Sequence, residues 1–162
     1  MNTQPVLLLK TLRNKYMFEK IIESLKQILI NNTLLNDVFD YEKIQTDTDP
    51  YVIIVPSGNE SDFGTTEENV RTYAFKVMVF VSRKIRSEKE AERVMRTLID
   101  SIIDDYDKDY TLEGVGVPEK TGHTFLQVFA SPSNWGYVGE EEQYRVATIE
   151  LTCLTSVDLN NI

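Results

Sequence analysis

Residues 71–82, RTYAFKVMVFVS, constrain the fold more than any other stretch of the chain. Tyr73, Phe75, Val77, Val79 and Val81 alternate onto one side; Ala74, Met78 and Phe80 alternate onto the other, interrupted by Thr72 and Lys76. A run of β-branched and aromatic residues without glycine or proline reads as a strand. It would span about 40 Å, well beyond the roughly 5–6 residues of an ordinary strand. Helices of the same chain can cover the first side. The second is too apolar for water along its whole length and needs a cover from this chain or from a neighbouring one. Ala74, Lys76, Met78 and Phe80 are therefore candidate oligomer-interface residues.

Two helices flank this strand in sequence. The first is expected over residues 14–31, with Asn14 as N-cap and Phe18, Ile21, Ile22, Leu25, Ile28 and Leu29 forming one apolar stripe. Leu34, Leu35, Val38 and Phe39 then suggest a short turn packed beneath it. The second begins at Ser87-Glu88-Lys89-Glu90, an S-x-x-E capping box. Its stripe runs through Ala91, Val94, Met95, Leu98, Ile99, Ile102, Ile103 and Tyr106, with an end near Asp107.

The remaining strands are shorter. Residues 51–56 should pair antiparallel with 71–82, across a loop at 57–70 rich in Gly, Ser, Asn and Thr. Residues 110–112 and 124–131 read as strands, separated by a Gly/Pro-rich connection. Residues 132–142 read as a loop carrying Trp135 and Tyr137. The last strand, 143–155, points Ala147, Ile149, Leu151 and Cys153 inward, while Tyr144 and Val146 fall on the other parity, as a bulge near Val146 would explain. Loops in compact domains tend to carry function. Asn59, Glu60, Ser61, Asp62 and Phe63 in the first loop, with Trp135 and Tyr137 in the second, are the candidate partner-binding residues.

The predicted fold class is α+β: two amphipathic helices packed on one face of a mostly antiparallel sheet, in the order α-β-β-α-(β)-β-β. Residues 1–162 form one domain, with an N-terminal arm at 1–13 and an unpacked tail at 156–162. There is no internal repeat, linker or low-complexity tract. A net charge of −9 argues against a dedicated nucleic-acid binder, since phosphate contact needs clustered Lys and Arg. The single cysteine, Cys153, excludes an internal disulfide. The apolar run at residues 6–9 is too short for a signal or a membrane span, so a cytoplasmic origin and no membrane partner are expected.

Catalytic and metal motifs fail where their chemistry is most demanding. Asp105, Asp107 and Asp109 match the first three ligands of an EF-hand loop. Tyr110 then stands at the required glycine and Gly116 at the bidentate glutamate. In GVPEKTG the glycine that a phosphate loop needs before Lys120 is Glu119. No D/E-x-K triplet of the nuclease type occurs. His123, the only histidine, has no nucleophile near it in sequence, and Cys153 lies on an inward parity. The expectation is a protein with no catalytic residues, metal or cofactor.

The layout resembles the tail terminator (tail completion) proteins of long-tailed bacteriophages. The points of likeness are the amphipathic first helix from Phe18 to Leu29 and the hairpin of YVIIVP with RTYAFKVMVFVS. The acid-flanked second helix from Ala91 to Tyr106 and the closing strand YRVATIELTCLT complete it. The likeness spans residues 14–155 and is one of order and texture, shared with related head–tail joining proteins; the arm and residues 132–142 have no counterpart in it. It implies a structural virion protein at the head–tail junction, assembled in the host cytoplasm as a homo-hexameric ring. Such a ring binds the last tail-tube subunits, stops their polymerisation, and meets the head connector or stopper protein. Genomic DNA would pass through its lumen without specific binding. Six copies at −9 each would carry about −54, and a negative channel lets a duplex slide. The alternatives are another connector or neck subunit, and a divalent-metal-binding α+β domain.

Overall fold

The computed structural model describes residues 16–43, 48–63, 68–139 and 143–162. Among these residues two helices, α1 (Met17–Asn31) and α2 (Glu88–Lys108), accompany six strands: β1 (Asp37–Phe39), β2 (Tyr51–Phe63), β3 (Glu68–Ser82), β4 (Glu119–Lys120), β5 (His123–Val138) and β6 (Tyr144–Asp158). They form one sheet in the order β1-β2-β3-β6-β5-β4, antiparallel except for the β1–β2 pair. The fold is α+β, with both helices against one face.

The long strand sits at the centre of this sheet, longer than its sequence alone indicates. On the helix side Tyr73, Phe75, Val77, Val79 and Val81 are 0–3% exposed. The same face of β6 supplies Ala147, Ile149, Leu151 and Cys153 in continuous register. The apolar stripes of α1 and α2 close over them into one core. Burying each large apolar side chain contributes about 1.5–3 kcal/mol. Phe18 meets Tyr73 and Phe75 edge-on, with centroids 4.7 and 5.6 Å apart. Tyr106 spans the two helices, donating its hydroxyl to the Leu25 carbonyl at 3.0 Å.

The helix ends differ. Ser87 Oγ accepts from the Glu90 amide at 3.2 Å, so the expected cap of α2 is present. Asn14 lies outside the described residues, and α1 opens at Tyr16 with no side-chain cap. Beyond α2, residues 110–112 form a turn rather than a strand. The Leu112 amide bonds the Asp109 carbonyl, Leu112 takes φ 62°, and Asp109 Oδ1 accepts from the Gly114 amide. The connection that follows is tied to α1 by Ser24 Oγ, which donates to the Gly116 carbonyl at 2.7 Å.

Several expected loops are strand. β2 continues from Pro56 to Phe63 and β3 begins at Glu68, so most of the expected 57–70 loop is strand. Ladder bonds to β3 override the weak β propensity of PSGNES, with Ser57 absorbed as a bulge. Similarly, β5 runs to Val138 with irregularities at Leu126 and Ser133, so residues 132–138 are strand rather than loop. No bulge occurs at Val146. Tyr144 and Val146 stay on the far face, where Tyr144 has aromatic partners. Of the turn expected at Leu34, Leu35, Val38 and Phe39, the last two are in β1, an added parallel strand; Leu35 and Val38 pack on the helix-side core, whereas Phe39 joins Tyr51 and Ile53 on the far face. The tail expected at 156–162 is strand as far as Asp158, while Asn160, Asn161 and Ile162 are exposed. Val157 is fully buried and the Asp158 amide bonds the Gly122 carbonyl at 2.8 Å. Gly122 has φ +75°, and a Cβ there would meet the Asn161 backbone at 3.0 Å.

Candidate interaction surfaces

Strand register places the candidate residues on three separate surfaces. The first is an aromatic strip on β5. Trp135 and Tyr137 lie opposite Ala147 and Arg145 on the helix side, past the cover of the main core. They are 42% and 48% exposed, yet their rings are held. The Arg145 guanidinium sits 5.4 Å from the Trp135 centroid and 4.7 Å from that of Tyr137; Arg83 covers Tyr137 at 4.8 Å. Arg145 is fixed in turn by Glu92 of α2 at 2.8 Å and by the Gly136 carbonyl at 3.0 Å. Arg83 pairs with Glu88. Exposed aromatics on a rigid strand lose little conformational freedom when a partner covers them.

The basic segment at residues 83–86 beside this strip is organised by Asp49. One carboxylate oxygen accepts from the Ser82 amide and the other pairs with Arg86, which also donates to the Ser82 carbonyl at 3.1 Å. The Asp49–Pro50 peptide is cis. Arg145, Glu92 and Asp49 were not among the sequence candidates. Arg145 could have been found, since it continues the inward parity of Ala147, Ile149 and Leu151.

The second surface is the β2–β3 arm. Asn59, Glu60 and Ser61 are exposed strand residues, and the backbones of Asp62 and Phe63 pair with Val70 and Asn69. Asn59 shares a level with Tyr73, Cys153 and Val128, whereas Trp135 shares one with Ala147 and Val79. Six residues of β6 separate those levels, about 20 Å along the strands. The two sets of candidate binding residues are not brought together.

The third is the far face of the sheet. Ala74, Lys76, Met78 and Phe80 do share it, but they are not one apolar band. Phe80 stacks on Tyr51 at 4.7 Å with an interplanar angle of 1°, and Tyr144 meets both edge-on. Tyr51, Ile53 and Phe39 are buried in this satellite cluster, with Val55, Met78, Phe80 and Tyr144 packed against it. Part of the cover expected from a neighbour is therefore supplied by this chain. Lys76 is exposed in a cross-strand row with Glu150 and Ser131. The exposed apolar residues of this face lie on β5 instead, at Phe129 and Val138.

His123 Nδ1 lies 3.0 Å from the Thr121 carbonyl, and desolvation holds its pKa below the usual histidine range. Cys153 is buried, which pushes its thiol pKa up. Burial likewise raises the phenols, Tyr51 to about 12 and Tyr106 well above the ordinary value. Asp105 accepts from Asn32 at 2.7 Å. Among the described residues no group of three His, Cys, Asp or Glu side chains converges as a metal site. No helix among them is long and apolar enough to cross a membrane. Comparison with models of known protein families finds none that matches the chain, and no curated protein is significantly similar to it.

Proposed function

We propose that this protein is a structural subunit of a ring that caps the tail tube of a long-tailed phage particle, stops tube growth and joins tail to head. Its partners are further copies of itself, six in the proposed ring, the tail-tube protein and the head connector or stopper protein. Genomic DNA passes through the lumen without specific contacts, and the site of action is the virion's head–tail junction. No cofactor or catalytic step is part of this reading.

The observation that carries it is the second half of β5. Phe129 and Val138 on the far face, and Trp135 and Tyr137 on the near face, are 42–50% exposed on a strand whose neighbour β6 is buried along its helix side. Apolar area on both sides of one strand suits contact with another protein surface. The negative charge suits a channel wall that DNA slides past.

Electron microscopy of the purified protein mixed with cognate tail tubes, and separately with filled heads, tests the assignment. Density at the tube end and arrested tube growth are expected. Decoration of heads alone would identify a neck or connector subunit instead. Removing residues 60–66 should leave a folded subunit that no longer caps tubes; normal capping by that deletion would show that this part of the β2–β3 arm is not needed at the tube.

A further inference from the structure

The two long edges of the sheet are each blocked along one half only, and the blocked halves are diagonally opposed. On β2, β1 pairs with Tyr51, Val52 and Ile53 and stops. On β5, β4 pairs with His123 and Thr124, and the Tyr110 carbonyl takes the Val128 amide. Among the described residues, no backbone group pairs with the outer side of 54–63 or of 129–138. Ile54 and Pro132 stand at the same level, joined through Val77 and Ile149. From that level the free half of β2 runs towards one end of the sheet and the free half of β5 towards the other.

We propose that these halves pair with each other between copies, the free half of β5 in one subunit adding to the free half of β2 in the next. This rests on the ring reading above and names the joint that builds the ring. Successive antiparallel pairs along β2-β3-β6-β5 leave β2 and β5 running in opposite directions. Neighbours pointing the same way along a ring axis therefore bring β5 against β2 antiparallel, the more stable ladder. The joint is heterologous, so it does not end at a dimer, and it closes into a ring when the rotation between neighbours divides a full turn. To engage, neighbours slide by about four or five residues, roughly 15 Å along the strands. β1 and β4 then each fall beyond the end of the partner's free half. A stagger of this kind is what a closed ring of tilted strands requires.

Proline and a bulge on each edge keep the joint selective. Pro56 with Ser57, and Pro132 with Ser133, interrupt the run of donors and leave 57–63 and 133–138 as the segments with complete backbones. Such devices prevent indiscriminate edge pairing. Phe129 and Val138 would be covered as the far faces of adjacent sheets become continuous.

Cysteine cross-linking tests the joint. Glu60 and Asn134 are exposed on the two free halves and share the far face, while the native Cys153 is buried. Protein carrying both Glu60→Cys and Asn134→Cys, assembled alone or on tube ends and treated with a short bis-maleimide, should give a ladder from dimer up to the closed ring. Either single variant should stay uncross-linked. Dimers from Asn134→Cys alone would mean that β5 pairs with itself and would overturn the proposal. Assembly by light scattering without a ladder would overturn the joint and leave the ring reading standing. Protein that remains monomeric alone and with tubes would overturn both. Unchanged thermal melts of the variants exclude misfolding as the cause.

Discussion

The two sides of the central sheet are finished differently. On the helix side, α1 and α2 bury five consecutive alternate residues of β3 completely. On the other side, cover comes from a small aromatic cluster around Tyr51 and Phe80, then lapses at Lys76, and is missing from Phe129 onwards on β5. The first side is a core that one chain completes. The second is stable as far as its own aromatics reach, and beyond them it offers a surface. Hydrophobic pattern alone makes the sides look alike, because alternation reports which residues share a face and says nothing about what lies over it.

Stability measurements can break that comparison most directly in β3 itself. Phe75→Ala should cost about 3–5 kcal/mol in urea unfolding, the usual range for emptying a fully packed aromatic site. Phe80→Ala should cost about half of that, since its ring is only partly enclosed. Equal losses would mean that the far face is as completely packed as the near one.

Alkaline titration sharpens the picture, because both sides hold buried acids. Tyr106 and Cys153 belong to the near core and Tyr51 to the far cluster, and all three have raised pKa values. The native state keeps these protons while the unfolded chain releases them above about pH 9–10, so stability is complete below that range and falls as pH rises. Each group contributes a slope of about 1.4 kcal/mol per pH unit once its unfolded form ionises. Tyr51→Phe should flatten the loss between pH 10 and about 12, read from urea midpoints across that range. An unchanged profile would show that Tyr51 is not enclosed.

Smaller effects follow at the periphery. Ser87→Ala removes the side-chain acceptor of the Glu90 amide at the start of α2 and should cost about 1 kcal/mol by thermal unfolding. Phe129→Ser should change the isolated subunit by no more than about 0.5 kcal/mol, and Trp135→Ser, which also loses the Arg145 contact, by about 1 kcal/mol. A large loss from either would mean that β5 is core along its whole length.

The elements legible in the sequence are those whose pattern is local. Ser87-Glu88-Lys89-Glu90 announces α2, and the alternation of residues 71–82 announces β3 and both its faces. What escaped depends on distant partners. PSGNES is poor strand material by itself and becomes strand because β3 supplies the ladder. SPSNWGY follows β6 for the same reason. β1 is too short to carry a period, and its parallel pairing joins residues on either side of a loop. Trp135 and Tyr137 were visible as aromatics, but their setting on Arg145 and Glu92 joins β6 to α2 and has no signature in neighbouring residues. The exposed apolar area lies on β5, at Trp135, Tyr137, Phe129 and Val138, rather than on the far face of β3, whose Met78 and Phe80 pack against a cluster of this chain's own aromatics.

Light scattering on wild-type protein and on the Phe129→Ser/Trp135→Ser double variant, each with tube protein added and at matched thermal midpoints, puts the exposed half of β5 to the most direct test. Wild type should assemble to a ring-sized species while the variant stays a monomer. A variant that assembles as readily as wild type would contradict the assignment of this strand as the surface that copies share.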